Sequence, residues 1–350
     1  MSAVRIAVAG AGLIGRRHIE IIAQSRDAKL SAIVDPSPAA ADLARESGVE
    51  LYASLEDLFA ADRPDAVVLA TPNSLHVAGG VACLEAGVPV LVEKPIADSV
   101  EDAKRLVDAA GKHGVPLLVG HHRRHSPLLA AASRLIDEGT LGQLVAVMGT
   151  ALFYKPDDYF DAAPWRREAG GGPILINMVH EVDNLRALCG EIESVQATSS
   201  NRTRGFEVED TVAITLRFTS GALGSFLLSD AAASARSWEL TSQENKSYPT
   251  YGDEDCYVIA GTKGSLAVPT MRLKTYAGTP SWWEPFDVST ADVERADPLV
   301  RQLEHFITVI RGETQPLVTG YDGLQTLRVT MAIAEAAATG GTVAVESFPA

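Results

Sequence analysis

The sequence predicts an α/β protein of two domains, a doubly wound parallel sheet followed by an α+β domain on a mostly antiparallel sheet. Three observations carry this. The chain has 350 residues, too many for one ordinary core. Its first third alternates short β-branched runs with helical patterns. From Ser194 to Val268 strands follow one another without helices between them. The rhythm changes near residue 122, so the domains are placed at 1–122 and 123–350, with the last helices free to pack back on the first domain.

The parallel strands are expected at Val4–Ala9, Leu30–Asp35, Ala66–Thr71, Pro89–Glu93 and Leu117–Gly120. Four of them are nearly continuous apolar runs, as suits strands buried on both faces. A helix opens at the glycine-rich turn after the first strand. Others follow at Pro38–Ser47, Ser54–Ala60 (opened by a Ser cap), Leu75–Ala86 and Ser99–His113, the last two stopped by Gly87 and Gly114. Beyond residue 122 come a helix at Pro127–Glu138, a strand at Gln143–Leu152 and an aromatic, Pro-rich loop at Phe153–Trp165. Three glycines then precede a helix at Asn177–Leu188. The antiparallel strands are Ser194–Asn201, Thr211–Phe218, Leu223–Ser229, Ser237–Leu240, Cys256–Ala260 and Ser265–Val268, with Gly221 and the pair Gly261 and Gly264 in hairpin turns. Helices at Leu299–Arg311 and Gly323–Ala338 finish the fold.

Composition narrows the function classes. Hydrophobic residues make up 46% and charged residues 21%, the balance of a folded globular chain. Thirty Lys and Arg against 45 Asp and Glu give a formal charge of −15, which repels phosphate backbones and anionic lipid. Nucleic acid and membrane surfaces are therefore not expected partners. The three cysteines, Cys83, Cys189 and Cys256, lack metal-ligand spacing and argue against a disulfide scaffold. The amino end has no signal-peptide pattern, and no uncharged apolar run approaches the ~20 residues that span a bilayer. A cytoplasmic protein is expected.

The strongest chemical signal is Gly10-Ala11-Gly12-Leu13-Ile14-Gly15, placed between the first strand and its helix. Gly10 permits the tight turn, Gly12 lets backbone approach a pyrophosphate, and Gly15 lets helix pack on strand, with the helix N-terminus facing the phosphates. Asp35 ends the second strand 20 residues past Gly15, placed to accept hydrogen bonds from the adenosine ribose. A carboxylate there opposes a 2′-phosphate, and Pro36, Ser37 and Pro38 offer no cation, so NAD is favoured over NADP. Arg16 and Arg17 could reach a phosphate, although at least one of them reads as a solvated surface charge.

Two further strands end in Thr71-Pro72-Asn73, followed by His76, and in Glu93-Lys94-Pro95. Ligands of open α/β sheets bind outside the carboxyl ends of the strands, so these groups should border the cofactor. Lys94 follows a buried run, where partial desolvation would bring an ammonium towards proton-transfer chemistry; the plainer alternative is a structural pair with Glu93. His121, His122 and His125 lie close together but without an accompanying carboxylate or Cys, so no metal is expected. A hinge with Arg123 anchoring the crevice is preferred there. His113 and His305 read as structural or solvated. In the segment from Trp165 and Arg166 through Gly170–Gly172 to Asp183, Asn177, His180 and Asp183 are spaced to share one helix face.

Taken together, Gly10–Gly15, Asp35, Thr71-Pro72-Asn73, Glu93-Lys94-Pro95, Arg123, Trp165-Arg166 and Gly170–Asp183 resemble the Gfo/Idh/MocA family, that of glucose–fructose oxidoreductase and inositol dehydrogenase. The resemblance spans essentially the whole chain. It implies an N-terminal Rossmann domain and a C-terminal domain whose open, mostly antiparallel sheet serves as the interface of a homodimer or homotetramer. It also implies NAD(P)-dependent hydride transfer on a secondary alcohol or ketone of a sugar, cyclitol or related polyol. By the same resemblance Lys94 corresponds to the acid/base lysine and His180 to the substrate-binding or proton-relaying histidine. The family often has an Asp four residues before that histidine, where this chain has Ile176, and the neighbouring Asn177 cannot take a proton at neutral pH. Tyr154, Asp157, Tyr159 and Trp165 could shape the pocket instead.

The expected mechanism binds substrate between the domains with its reacting carbon over the nicotinamide. Lys94 takes the hydroxyl proton as hydride leaves, His180 holds a hydroxyl, and Arg123, Tyr154, Trp165, Arg166 and Asn177 line the pocket. Three alternatives stand beside it: a non-catalytic NAD-binding ligand sensor, transient NAD use during elimination or glycoside cleavage, and a dihydrodiol or aromatic-derived substrate.

Overall fold

Six short strands rich in Val, Ile, Leu and Ala form the sheet of the first unit: β1 (Val4–Ala9), β2 (Ala28–Val34), β3 (Glu50–Tyr52), β4 (Ala66–Leu69), β5 (Val90–Val92) and β6 (Leu117–Val119). All pair in parallel, in the order β3-β2-β1-β4-β5-β6. The chain winds outward from β1 to β3 and then restarts at β4 on the other side of β1. That reversal places a ligand crevice at the carboxyl ends of β1 and β4. Ile6, Val8, Ile33, Val68 and Leu91 are buried in the core, joined by Phe306 and Ile307 of the helix Pro298–Ile310.

The structure, a computed structural model, describes residues 2–346. The first compact unit runs to His122 and includes Pro298–Leu327; the second comprises Arg123–Asp297 and the described residues from Arg328 to Glu346. Among the described residues no helix is long and apolar enough to cross a membrane.

Local signals account for the helix ends in the first unit. The Ser54 and Ser99 hydroxyls accept hydrogen bonds from the Asp57 and Asp102 N–H groups, capping the helices Leu55–Ala61 and Val100–His113. β1 has the predicted bounds, but the other four predicted strands run one or two residues too long at their carboxyl ends, because Asp35, Thr71, Glu93 and Gly120 already belong to the loops. β3 was not expected at all. It is three residues long and lies at the sheet edge, too short to show a period.

The second unit is built on nine strands: β7 (Leu144–Leu152), β8 (Ile192–Ser200), β9 (Thr211–Phe218), β10 (Leu223–Ser229), β11 (Tyr257–Gly261), β12 (Gly264–Val268), β13 (Arg272–Thr275), β14 (Asp287–Thr290) and β15 (Thr342–Ala344). Their order is β14-β13-β12-β11-β7-β10-β9-β8-β15, and only β7 with β10 is parallel. β9 from Val212 and β10 as far as Leu228 alternate between buried and exposed residues, the mark of a sheet covered on one face. Val212, Ile214, Leu216, Phe226 and Leu228 form the core with Leu128, Val182 and Leu185 from the helices Pro127–Asp137 and Val179–Cys189.

One expected strand is a helix. Ser237–Leu240 forms a helical turn over Trp238–Thr241, with Ser237 at its N-cap position. Trp238 and Thr241 are the buried pair, and their spacing of three fits a helical turn rather than a strand. The helix Asp157–Asp161 and the strands β13, β14 and β15 were not anticipated. Each is at most five residues long, and β14 is wholly exposed.

Candidate active site

The glycines after β1 are required for two different reasons. Gly10 adopts φ +95°, and a Cβ there would lie 2.3 Å from the Ala70 carbonyl oxygen. A Cβ on Gly15 would lie 1.9 Å from the Gly10 carbonyl oxygen. Both glycines serve the packing of strand on helix. Around Gly12, by contrast, nothing lies within 4 Å of such a Cβ, so no protein atom demands a glycine. A bare backbone facing open space at a helix start is the cradle a pyrophosphate requires. Gly12 caps the helix Leu13–Gln24, whose first turn contains no acidic residue to compete with phosphate, and Leu13 and Ile14 open it.

Asp35 is tied to this turn. Its Oδ2 accepts from the Ala11 N–H at 2.7 Å and its Oδ1 from the Ser37 N–H at 2.8 Å. Each carboxylate oxygen keeps acceptor capacity for a ribose hydroxyl. At the end of β4 the Thr71 hydroxyl is buried without a hydrogen-bond partner, a second opening for an external polar group. These residues fit an NAD molecule. Arg17 pairs with Glu20 on the surface, while Arg16 Nε donates to the Ala11 carbonyl at 3.1 Å.

Pro72 and Asn73 lead into a short turn at Asn73–Leu75. His76, expected to touch cofactor, is 1% exposed, with its ring nitrogens 2.8 Å from the Pro95 carbonyl and 2.9 Å from the Thr71 carbonyl. It braces the loops after β4 and β5 against each other. Glu93 is likewise buried, with Oε1 2.8 Å from His18 Nε2 and Oε2 accepting from the Lys94 N–H at 3.2 Å. A Cβ on Gly120 would lie 2.8 Å from the Glu93 carboxyl carbon, so that glycine makes room for the carboxylate. Burial works to raise the Glu93 pKa, but the His18 hydrogen bond and the charges of His18, His122 and Lys94 outweigh it and hold the group below the ordinary range. Lys94 thus follows a fixed, ionised carboxylate, and its peptide bond to Pro95 is cis.

In the second unit, Ile174–Met178 forms a π-type turn, and the regular helix begins only at Val179. Asn177 falls in the wide turn, whereas His180 and Asp183 lie three residues apart in the regular helix. Asp183 is 1% exposed, with Oδ1 3.4 Å from Arg124 Nη1. Asn177 Oδ1 accepts from Lys155 Nζ at 2.7 Å. His180 is half-buried, the second residue of the helix.

Arg123 is a correction. Expected to anchor and line the pocket, it is buried, with one Nη 2.6 Å from Glu181 and the other on Glu239, and its guanidinium lies over Trp238. With one arm on the buried Glu181 and the other on the partly exposed Glu239, it is a structural cation. Tyr154 and Trp165 are exposed, each beneath a guanidinium: Arg204 lies 5.0 Å from the Tyr154 ring centre and Arg166 5.8 Å from that of Trp165.

The residue that sequence reasoning missed is Lys155. Its Nζ lies 3.6 Å from Asp230 and 4.8 Å from the centre of the Tyr159 ring. Burial, reinforced by the charges of Arg166 and Arg204, lowers its pKa to about 8 against the opposing pull of Asp230. A lysine in a loop reads as solvated; the only local hint was its aromatic company, Phe153, Tyr154 and Tyr159. Among the described residues, no group of three His, Cys, Asp or Glu side chains is arranged to hold a metal ion.

A parallel sheet with a glycine cradle at its switch point defines a dinucleotide-binding Rossmann unit. Comparison with known proteins makes this specific. Residues 4–121 match the model of an oxidoreductase family with an NAD-binding Rossmann fold, and residues 129–267 match the GFO/IDH/MocA C-terminal domain. The chain belongs to the Gfo/Idh/MocA family. It is 31% identical to 1,5-anhydro-D-fructose reductase of Ensifer adhaerens over 308 residues, 87% of each chain. It is 30% identical to scyllo-inositol 2-dehydrogenase (NAD(+)) of Bacillus subtilis strain 168, over 94% of this chain and 92% of the relative. Among solved structures, the WlbA dehydrogenase of Bordetella pertussis, crystallised with NADH and UDP-GlcNAcA, superimposes with a TM-score of 0.79 at 30% identity, covering 99% of both chains.

Proposed function

We propose that this enzyme transfers hydride between NAD and a secondary alcohol or ketone on a sugar, cyclitol or related polyol, with Lys94 as the acid/base. The observation that carries the reading is Lys94 itself, placed at the carboxyl end of β5 next to a buried, ionised Glu93 in the unit that holds the dinucleotide cradle. The 1,5-anhydro-D-fructose reductase and scyllo-inositol 2-dehydrogenase relatives support a ring-shaped polyol as substrate. Bound NAD supplies the hydride acceptor. Lys94 removes the hydroxyl proton in oxidation and returns it in reduction. His180 binds a substrate hydroxyl, and Asn177, Trp165, Arg166 and Tyr154 contribute to recognition. The enzyme assembles as a homo-oligomer through the sheet of its second unit.

The test is NADH formation at 340 nm on a panel of inositols and anhydrosugars. Replacing Lys94 by Ala should lower kcat by about 100-fold or more with NAD affinity nearly kept. Unchanged turnover would remove Lys94 from the chemistry. NAD binding with no NADH from any polyol would favour a sensor instead.

A further inference from the structure

The second unit sets two cations on one aromatic ring and a third beside them. Arg166 lies 3.8 Å from the centre of the Tyr159 ring and Lys155 Nζ 4.8 Å from it. Arg204 stands beside them, donating to the Lys155 carbonyl at 2.8 Å. The neighbouring acids do not balance this charge. Asp230 is shared, 2.9 Å from Arg204 Nε and 3.6 Å from Lys155 Nζ. Glu209 spends Oε1 on the Ile174 N–H at 2.8 Å, and burial pushes its pKa up, towards the neutral form. Asp157 is 4.0 Å from Arg204, but its side chain is 86% exposed and therefore screened.

Arg166 is the cation left over. The other guanidiniums of this unit's interior have carboxylates: Arg123 has Glu181 and Glu239, Arg167 has Asp161, Arg186 has Glu191 and Arg204 has Asp230. Arg166 has no carboxylate within 4.0 Å among the described residues. It donates to the Tyr159 carbonyl, and its Nε is buried without a hydrogen-bond partner. In a chain of formal charge −15, acids to pair with it were plentiful. Holding like charges together in a partly buried site costs free energy that a bound anion would offset.

We propose that Arg166 and Lys155, mounted on Tyr159, form an anion-recognition site, and that the substrate of the oxidoreductase reaction carries a carboxylate. This rests on the polyol reading above and narrows it to acidic sugars and polyols. Three cations against Asp230 and Glu209 leave at least one uncompensated positive charge, and the raised pKa of Glu209 only adds to it. The guanidinium fork suits a planar carboxylate. Lys155 also holds Asn177, three residues before His180, so the anion site and the hydroxyl-binding histidine share one chain segment.

The experiment is calorimetric binding to the full-length protein saturated with NADH, using D-glucuronate, D-glucose and D-glucose 6-phosphate. D-Glucuronate should bind about 10-fold tighter than D-glucose or better. Arg166→Gln should weaken D-glucuronate about 10-fold more than it weakens D-glucose, erasing the preference, and Arg166→Lys should keep part of it. Equal binding of the acid and the neutral sugar, or no binding of either, overturns the proposal. So does an equal loss for both sugars in Arg166→Gln, or tighter, Arg166-dependent binding of the phosphate. Because the readout is binding, the two readings fail separately. An Arg166-dependent preference without any NADH chemistry keeps the anion site and removes the hydride-transfer reading. Turnover of neutral polyols without that preference does the reverse.

Discussion

His18 and Glu93 meet across 2.8 Å inside the first unit, where their side chains are 4% and 6% exposed. The histidine comes from the helix that follows the glycine cradle and the carboxylate from the residue before Lys94. One buried pair therefore couples the helix after the glycine cradle to the strand end that carries Lys94. Removing one partner of such a pair leaves a buried charge uncompensated, at a cost of about 3 kcal/mol. His18→Ala should lose about that much in chemical denaturation. The depressed Glu93 pKa means its stabilising contribution is present above the ordinary value of 4.5 and is lost as pH falls below it. The variant should therefore show a flatter loss of stability than wild type between neutral pH and pH 3.5 or so. A cost under about 1 kcal/mol would show that the pair contributes little.

Gly12 and Gly15 should separate binding from folding. A Cβ on Gly12 meets open space, whereas one on Gly15 collides with the Gly10 carbonyl at 1.9 Å. Gly12→Val should keep its melting temperature within a few degrees and weaken NAD about 10-fold or more, because only the cofactor approaches there. Gly15→Ala should instead lower the melting temperature. Nucleotide titration by NADH fluorescence, run beside thermal unfolding, checks both. If Gly12→Val bound NAD normally, the pyrophosphate would have to lie elsewhere.

Glu244 should make the second unit's stability depend on pH near neutrality. It is buried, with Oε1 accepting from the Ser126 hydroxyl at 2.5 Å and Oε2 from Trp238 Nε1 at 3.2 Å. Burial raises its pKa to about 7, against the hydrogen bonds of Ser126 and Trp238 and the charges of Arg123 and Arg295. The fold therefore holds a proton that the unfolded chain releases above 4.5. The resulting stability is complete below that value and lost as pH rises through about 7. Two and a half pKa units correspond to roughly 3 kcal/mol. Glu244→Gln should remove most of this slope when denaturation is compared at pH 5 and pH 8 or so. Parallel slopes in the two proteins would assign the dependence to another group.

What could be read from the chain was local. β1 was legible as an apolar run, the cradle as three spaced glycines, and Ser54 as a cap, because a few consecutive residues determine each. β3 and β14 were not, since three or four half-exposed or exposed residues carry no period. The roles of Arg123 and Lys155 were hidden for a different reason. Arg123 finds Glu181 and Glu239 at separations of 58 and 116 residues, and Lys155 finds Asn177 22 residues away. A one-dimensional pattern does not register such partners. The π-type turn at Ile174–Met178 was not legible either, since nothing in the residues from Ile174 to Met178 marks it off from the helix that follows.

The sheet of the second unit offers the last prediction. Its outer face should be polar if it only meets water. Instead Met148, Leu223 and Leu227 are 52%, 49% and 40% exposed. The β7–β10 register sets Ser225 beside Met148 and Leu223 beside Ala146, so these side chains form one patch across two central strands. Val258 of β11, paired with Met148, extends it. A contiguous apolar patch on a regular sheet marks an interaction surface, and a copy of the same sheet is the partner whose pleat and twist match it. Met148→Glu would place a charge on both copies at such an interface. Sedimentation should find the wild type as a dimer or tetramer and the variant as a smaller species with nearly unchanged melting temperature. A monomeric wild type, or a variant that stays assembled, would move the oligomer contact off this face.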